Sequence, residues 1–171
     1  MCICTILLGM SPIKPLARGA EGGALRGCTC FRLQRLTRRV TAVYNRALAP
    51  TGMRVTQYSL LNNLRHAGPL PLTALAELLD MDRTTLSRNL RPLSDAGWVT
   101  VRPSAEDARV RMIGLTKAGE SHLQTARAYW KRAQEEVNAT IGADDLTQLH
   151  EMLDRYVPRF RPAPDGEEDL E

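Results

Sequence analysis

Two stretches of this chain carry side chains that can do chemistry. Residues 27–40 read GCTCFRLQRLTRRV and place Cys28 and Cys30 two apart at the head of an arginine-rich segment. Residues 83–91 read RTTLSRNLR and supply Arg83, Thr84, Ser87, Arg88 and Arg91. Thiols can ligate metals, undergo reversible oxidation, or pack as small apolar groups. Arginine forks and hydroxyls can bond base edges and phosphates. A structural zinc site needs four ligands at set spacings. One C-x-C with His66, His122 and His150 scattered does not match that pattern, so no metal is expected. No Ser-His-Asp arrangement, carboxylate pair, phosphate loop or dinucleotide fingerprint is present. No catalytic residues and no cofactor are expected, and an enzyme is disfavoured as a class.

The elements that position these residues can be read from periodicity. From Phe31, Leu33, Leu36, Val40, Val43, Tyr44 and Ala47 recur at helical steps, and APTGM (49–53) breaks the pattern. A second helix is expected from an N-cap at Thr56, with Val55 and Leu60 as its hydrophobic staple. Leu60, Leu61 and Leu64 form its apolar face, and Gly68-Pro69 ends it. A short helix over 72–79 points Leu72, Leu75, Ala76 and Leu79 inward. After a tight turn at 80–82, Asp82 caps a helix with Leu86, Leu90 and Leu93 inward, ended by Gly97. Pro92 predicts a kink or a looser last turn. Two helices joined by so short a turn, with small Ala76 where they meet, make a helix-turn-helix arrangement.

Residues 98–102 (WVTVR) and 110–115 (VRMIGL) read as strands around the polar loop 103–109, a hairpin beside the helix pair. Thr116 caps a long helix to about Ile141 with Leu123, Ala126, Trp130, Ala133 and Val137 as its stripe. Asp144-Asp145 opens a last helix faced by Leu146, Leu149, Leu153, Tyr156 and Phe160. The fold expected is mainly α with a small β-hairpin wing: a winged helix-turn-helix domain.

The chain has 171 residues, a net charge of +4, 43% hydrophobic and 25% charged residues, which is ordinary for one globular domain with tails. The basic charge is uneven. Residues 31–46 hold Arg32, Arg35, Arg38, Arg39 and Arg46 and no acid, whereas 165–171 (DGEEDLE) is acidic. The apolar run CICTILLGM (2–10) is too short to span a membrane and lacks a basic leader region. A cytoplasmic protein without membrane partners is expected, in a compartment where structural disulfides are unfavoured. Residues 1–27 are expected to be a disordered leader and 161–171 an acidic disordered tail.

In order along about 30–160, the chain resembles the MarR (multiple-antibiotic-resistance) family of bacterial regulators. The most specific piece is D-x-R-x5-L-T-x2-G, here Asp107, Arg109, Leu115, Thr116 and Gly119; RTTLSRNL (83–90) and Leu75-Ala76 also look like the family. Asp80 departs from the glycine common at that turn, but aspartate tolerates left-handed backbone. Pro92 departs from an ideal recognition helix, beyond the residues expected to face DNA.

The resemblance implies a homodimer whose outer helices, 28–50 and 117–160 here, form a dimerisation platform flanking a DNA-binding part at 56–116. It implies a repressor that reads a pseudo-palindromic double-stranded operator and is released by a small aromatic effector or an oxidant. Arg83, Thr84, Ser87, Arg88 and Arg91 would face the major groove. Arg109 resembles the family's minor-groove arginine, Asp107 its charged partner, and Arg111 an auxiliary. Effectors of the family sit between the first, second and fifth helices, which makes Tyr44, Tyr58, His66, Trp98 and Trp130 pocket candidates; core packing is the other reading of each.

Cys30-Phe31 with Gln57-Tyr58 further on also resembles the organic-hydroperoxide-sensing branch. There a cysteine heads the first helix, and Tyr44 matches a tyrosine that bonds it. Gln34 and Val55 stand where that branch has its other two tyrosines. A thiol switch at Cys30, with Cys28, is therefore the alternative to ligand control. Arg26 and Arg32 supply positive potential of the kind that favours thiolates; a thiol that only packs in an interface remains open. A winged-helix interaction module without DNA binding is the remaining alternative.

Overall fold

The computed structural model describes residues 27–160. The expected leader and acidic tail lie outside the described residues, apart from Gly27. The chain divides into two units, the boundary falling between Arg35 and Leu36.

The described residues form six α-helices and three short strands: α1 (Thr29–Leu48), α2 (Val55–Ala67), β1 (Leu70–Pro71), α3 (Leu72–Leu78), α4 (Arg83–Asp95), β2 (Val99–Pro103), β3 (Arg111–Leu115), α5 (Lys117–Ile141) and α6 (Ala143–Tyr156). The sheet order is β1-β3-β2, all antiparallel. The hairpin register pairs Val99 with Leu115, Val101 with Ile113 and Pro103 with Arg111. β1 pairs Leu70 with Ile113 and Pro71 with Met112. Sequence reading missed β1, because two residues are too few for a period to show.

The core lies where α2, α3, α4, the hairpin and α5 meet. Leu61, Leu75, Leu86, Leu93 and Ile113 are each 0% exposed there. Full burial of one such side chain contributes roughly 1.5–3 kcal/mol. The apolar stripes expected on α2, α4 and α5 are the ones that turn inward.

The start of α2 differs from expectation. Its N-cap is Arg54, not Thr56. Arginine has no acceptor, so the helix end is closed by two other side chains. Gln57 Oε1 accepts from the Arg54 N–H at 2.8 Å, and Asn45 Oδ1 of α1 accepts from the Val55 N–H at 2.8 Å. The staple positions therefore shift to Met53 and Tyr58, both buried, and not Val55 and Leu60.

α4 runs through Pro92 to Asp95. It ends in a Schellman motif: the Trp98 N–H reaches Leu93 O at 2.8 Å and the Gly97 N–H reaches Ser94 O at 2.9 Å, with Gly97 at φ 70°. That closure satisfies the last carbonyls of a helix already weakened at proline. α5 begins as expected, with Thr116 Oγ1 accepting from the Gly119 N–H at 3.0 Å.

Candidate nucleic-acid interface

The helix-turn-helix is held by its turn. Asp80 takes the left-handed conformation, φ 51°, as the sequence led one to expect. The Met81 N–H then returns to Ala76 O at 2.9 Å. Asp82 stands at the head of α4 in extended backbone and accepts from the Thr85 N–H at 2.7 Å. Hydrogen bonding from the Thr85 side chain, then from its backbone, holds the Asp82 carboxyl below its usual range. The cap thus fixes where α4 begins and which residues occupy its first turns.

With Leu86, Leu90 and Leu93 inward, the opposite face of α4 carries Arg83, Thr84, Ser87, Arg88 and Arg91. All five are exposed and line one shallow surface groove. Three cations and two hydroxyls over the first nine residues of one helix form a surface that can meet both phosphates and base edges.

The wing loop is built by local bonds. Ser104 and Val110 close it through a 2.8 Å backbone bond, and the Val110 N–H reaches Asp107 O at 3.0 Å. Asp107 does not act as expected. Its Oδ1 accepts from the backbone N–H of Arg109 at 2.9 Å, and among the described residues no ion pair joins the two side chains. An aspartate two residues before an N–H in a turn closes an Asx-turn more readily than it reaches a long side chain. Asp107 therefore shapes the loop from which Arg109 projects, exposed, with Arg111 exposed at the start of β3.

The strongest motif, L-T-x2-G, also has a structural reason. A Cβ at Gly119 would stand 2.1 Å from the Trp98 carbonyl oxygen. Thr116 Oγ1 donates to Gly97 O at 2.8 Å, and its N–H bonds Trp98 O at 3.0 Å. The first turn of α5 is thus seated directly on the start of β2.

The five pocket candidates separate. Tyr58, His66 and Trp130 line a pocket of about 190 Å³ between α2 and α5, together with Asn62, Arg65, Leu123 and Arg127. Tyr58 stacks on Trp130 with centroids 5.6 Å apart. Burial raises the Tyr58 hydroxyl above its usual value, opposed by the charges of Arg127 and Arg65. Tyr44 and Trp98 are not among the lining residues. Trp98 stacks on His122 at 4.1 Å, whose Nε2 lies 2.9 Å from Thr51 O. Tyr44 lies 6.4 Å from Trp130 ring to ring and donates to Gln134 Oε1 at 2.6 Å. Burial also raises its hydroxyl. Arg65 and Arg127 were not foreseen, because charged residues on two distant helices have no shared sequence signal.

Cys28 and Cys30 are both exposed at the start of α1. The Phe31 N–H points at Cys28 Sγ, 3.5 Å away, and Gln34 Nε2 at Cys30 Sγ, 3.4 Å away. The structure thus gives Tyr44 and Cys30 different hydrogen-bond partners. Among the described residues no group of three His, Cys, Asp or Glu is placed to hold a metal, and no helix is long and apolar enough to cross a membrane.

The MarR family model matches residues 53–110, the segment from the start of α2 to the wing. The uncharacterized HTH-type transcriptional regulator YdgJ of Bacillus subtilis is 27% identical over 107 residues, 63% of this chain and 65% of its own length. YwoH of the same organism, also an uncharacterized HTH-type regulator, is 30% identical over 101 residues, 59% of this chain and 73% of its own. The crystal structure of the Mycobacterium tuberculosis regulator MosR in complex with DNA superposes with a TM-score of 0.67 at 33% identity, over 77% of this chain and 97% of that one. This chain belongs to the MarR family. As a MarR-family protein it is a transcriptional regulator, with a winged helix-turn-helix as its reading head, and not an enzyme.

Proposed function

We propose that this MarR-family regulator is a homodimeric repressor that reads a pseudo-palindromic operator and is released by a small aromatic ligand. The observation that carries the DNA reading is the single exposed face of α4 with Arg83, Thr84, Ser87, Arg88 and Arg91. The MosR complex with DNA supports it. Arg88 and Arg83 read bases in the major groove, Thr84, Ser87 and Arg91 add base or phosphate contacts, and the wing places Arg109, with Arg111, against the minor groove.

Exposed apolar side chains support the dimer. Phe31 and Leu33 are exposed in the first unit, and Leu36, Met152, Leu153, Tyr156, Val157 and Phe160 in the second. Phe160 is 78% exposed, an unusual position for phenylalanine unless a partner covers it. Ligand control is supported by the aromatic pocket between α2 and α5.

The test is binding of the protein to its own upstream region, followed by anisotropy over a salt series. Wild type is expected to bind with a steep salt dependence. Arg88→Ala and Arg83→Ala should each cost about 1–3 kcal/mol and relax base preference. Arg109→Ala should weaken all sequences alike. Wild-type binding by all three variants would refute this docking.

A second reading, a thiol switch, is favoured by the two exposed sulfurs that each receive a hydrogen-bond donor. If peroxide or hypochlorite releases DNA, Cys30→Ser should stop the release. Release that persists in the Cys28→Ser/Cys30→Ser double variant eliminates the switch.

A further inference from the structure

The pocket between α2 and α5 holds more positive charge than the described residues neutralise. Arg65 and Arg127 enter it from opposite helices, with His66 and the Tyr58 hydroxyl beside them, and among the described residues no acid lines it. α2 contains no acidic residue. The acids of α5 are placed elsewhere: Glu136 pairs with Arg46, Glu135 lies 3.9 Å from Lys131, and Glu120 belongs to the first helical turn. Glu120 is also two turns along the helix from Arg127, roughly 10 Å away. The charges of both arginines reach the Tyr58 hydroxyl, so the two cations share one small volume.

Two like charges facing one pocket repel, and a ligand that supplies two negative charges relieves that repulsion more fully than one that supplies a single charge. Guanidinium groups bind carboxylates and phosphates through two parallel bonds, so each arginine offers a complete fork. Leu123 and the Trp130 ring provide an apolar wall against which a flat group can lie. We propose that this pocket binds a small aromatic dianion, an aryl phosphate or aryl dicarboxylate, with its charged groups on Arg65 and Arg127 and its ring against Leu123 and Trp130. The proposal rests on the reading of this pocket as the effector site and narrows the ligand to a charge class.

The chain has two tryptophans, so Trp98→Phe leaves Trp130 as the only one and makes its fluorescence a reporter of the pocket. Phenyl phosphate, phthalate, benzoate and phenol are titrated into this variant without DNA at about pH 7.5. There a phosphomonoester, with its second pKa near 6, is mostly a dianion. Phenyl phosphate and phthalate are expected to bind at least about tenfold more tightly than benzoate, with phenol weakest. Arg65→Gln and Arg127→Gln should each bring the dianions to the benzoate level and leave phenol unchanged, with unaltered melting temperatures. Equal affinity for benzoate and the dianions, wild-type affinity in both arginine variants, or no binding by any of the four compounds overturns the proposal. Operator release is then measured separately. Dianions that bind without releasing DNA leave the charge-class inference standing and refute the effector reading.

Discussion

A methyl group added at Gly119 tests how the wing is joined to α5. Its Cβ would lie 2.1 Å from the Trp98 carbonyl oxygen and 2.9 Å from Leu115 Cδ1. Non-bonded heavy atoms settle near 3.5 Å or beyond, so α5 and the start of β2 must part by more than about 1 Å. Overpacking of this kind costs about 1–3 kcal/mol. The displaced carbonyl also accepts the 3.0 Å bond from the Thr116 N–H. Weakening it adds about 1 kcal/mol. Alanine's better helix propensity returns up to about 1 kcal/mol. The net loss is about 1–4 kcal/mol, which for a chain of this size lowers the melting temperature by roughly 2–15 °C. The assay is thermal unfolding of Gly119→Ala and wild type at one protein concentration, since self-association makes a melting point vary with concentration. Gly97→Ala is the control. Its Cβ meets nothing within 4 Å, although φ is +70°, so only backbone strain of about 1–2 kcal/mol is added there. A Gly119→Ala melting point within about 2 °C of wild type refutes the close seating of α5 on β2.

Three further outcomes are expected. Asp82 has a depressed folded pKa, so its cap contributes stability above the unfolded value near 3.9 and loses it as pH falls through the folded value; melting points of wild type and Asp82→Ala should differ at pH 7 and draw together as pH falls below about 3.9. Tyr58 has a raised folded pKa, so its contribution is complete below about pH 10 and is lost as pH rises through the folded value. Tyr58→Phe should therefore lose less stability than wild type as pH rises above about 10, and parallel curves would show that the hydroxyl is not shielded. Leu153→Asp with Phe160→Asp should convert a dimer into monomers in sedimentation and abolish tight operator binding; an unchanged sedimentation coefficient would place the dimer contact elsewhere.

Most of the fold was legible because it follows local rules. The stripes of α2, α4 and α5, the caps Asp82 and Thr116, and the left-handed turn at Asp80 depend on neighbours within four residues. The α2 start was misplaced because its donors are satisfied partly by Asn45, ten residues back on another helix. The function class was legible through a motif in which each residue is individually common, and the geometric reason for its glycine was not.

The sequence by itself determined the helix pair, the hairpin, and which face of α4 carries its arginines and hydroxyls, because periodicity decides what turns inward and the remainder faces out. Tertiary structure alone decided three things. It directed Asp107 to the Arg109 N–H instead of the side chain, because the turn brings that donor closest. It separated Trp98 and Tyr44 from the pocket by giving them His122 and Gln134 as partners. It brought Arg65 and Arg127 together across two helices, because only chain packing can set two distant like charges around one pocket.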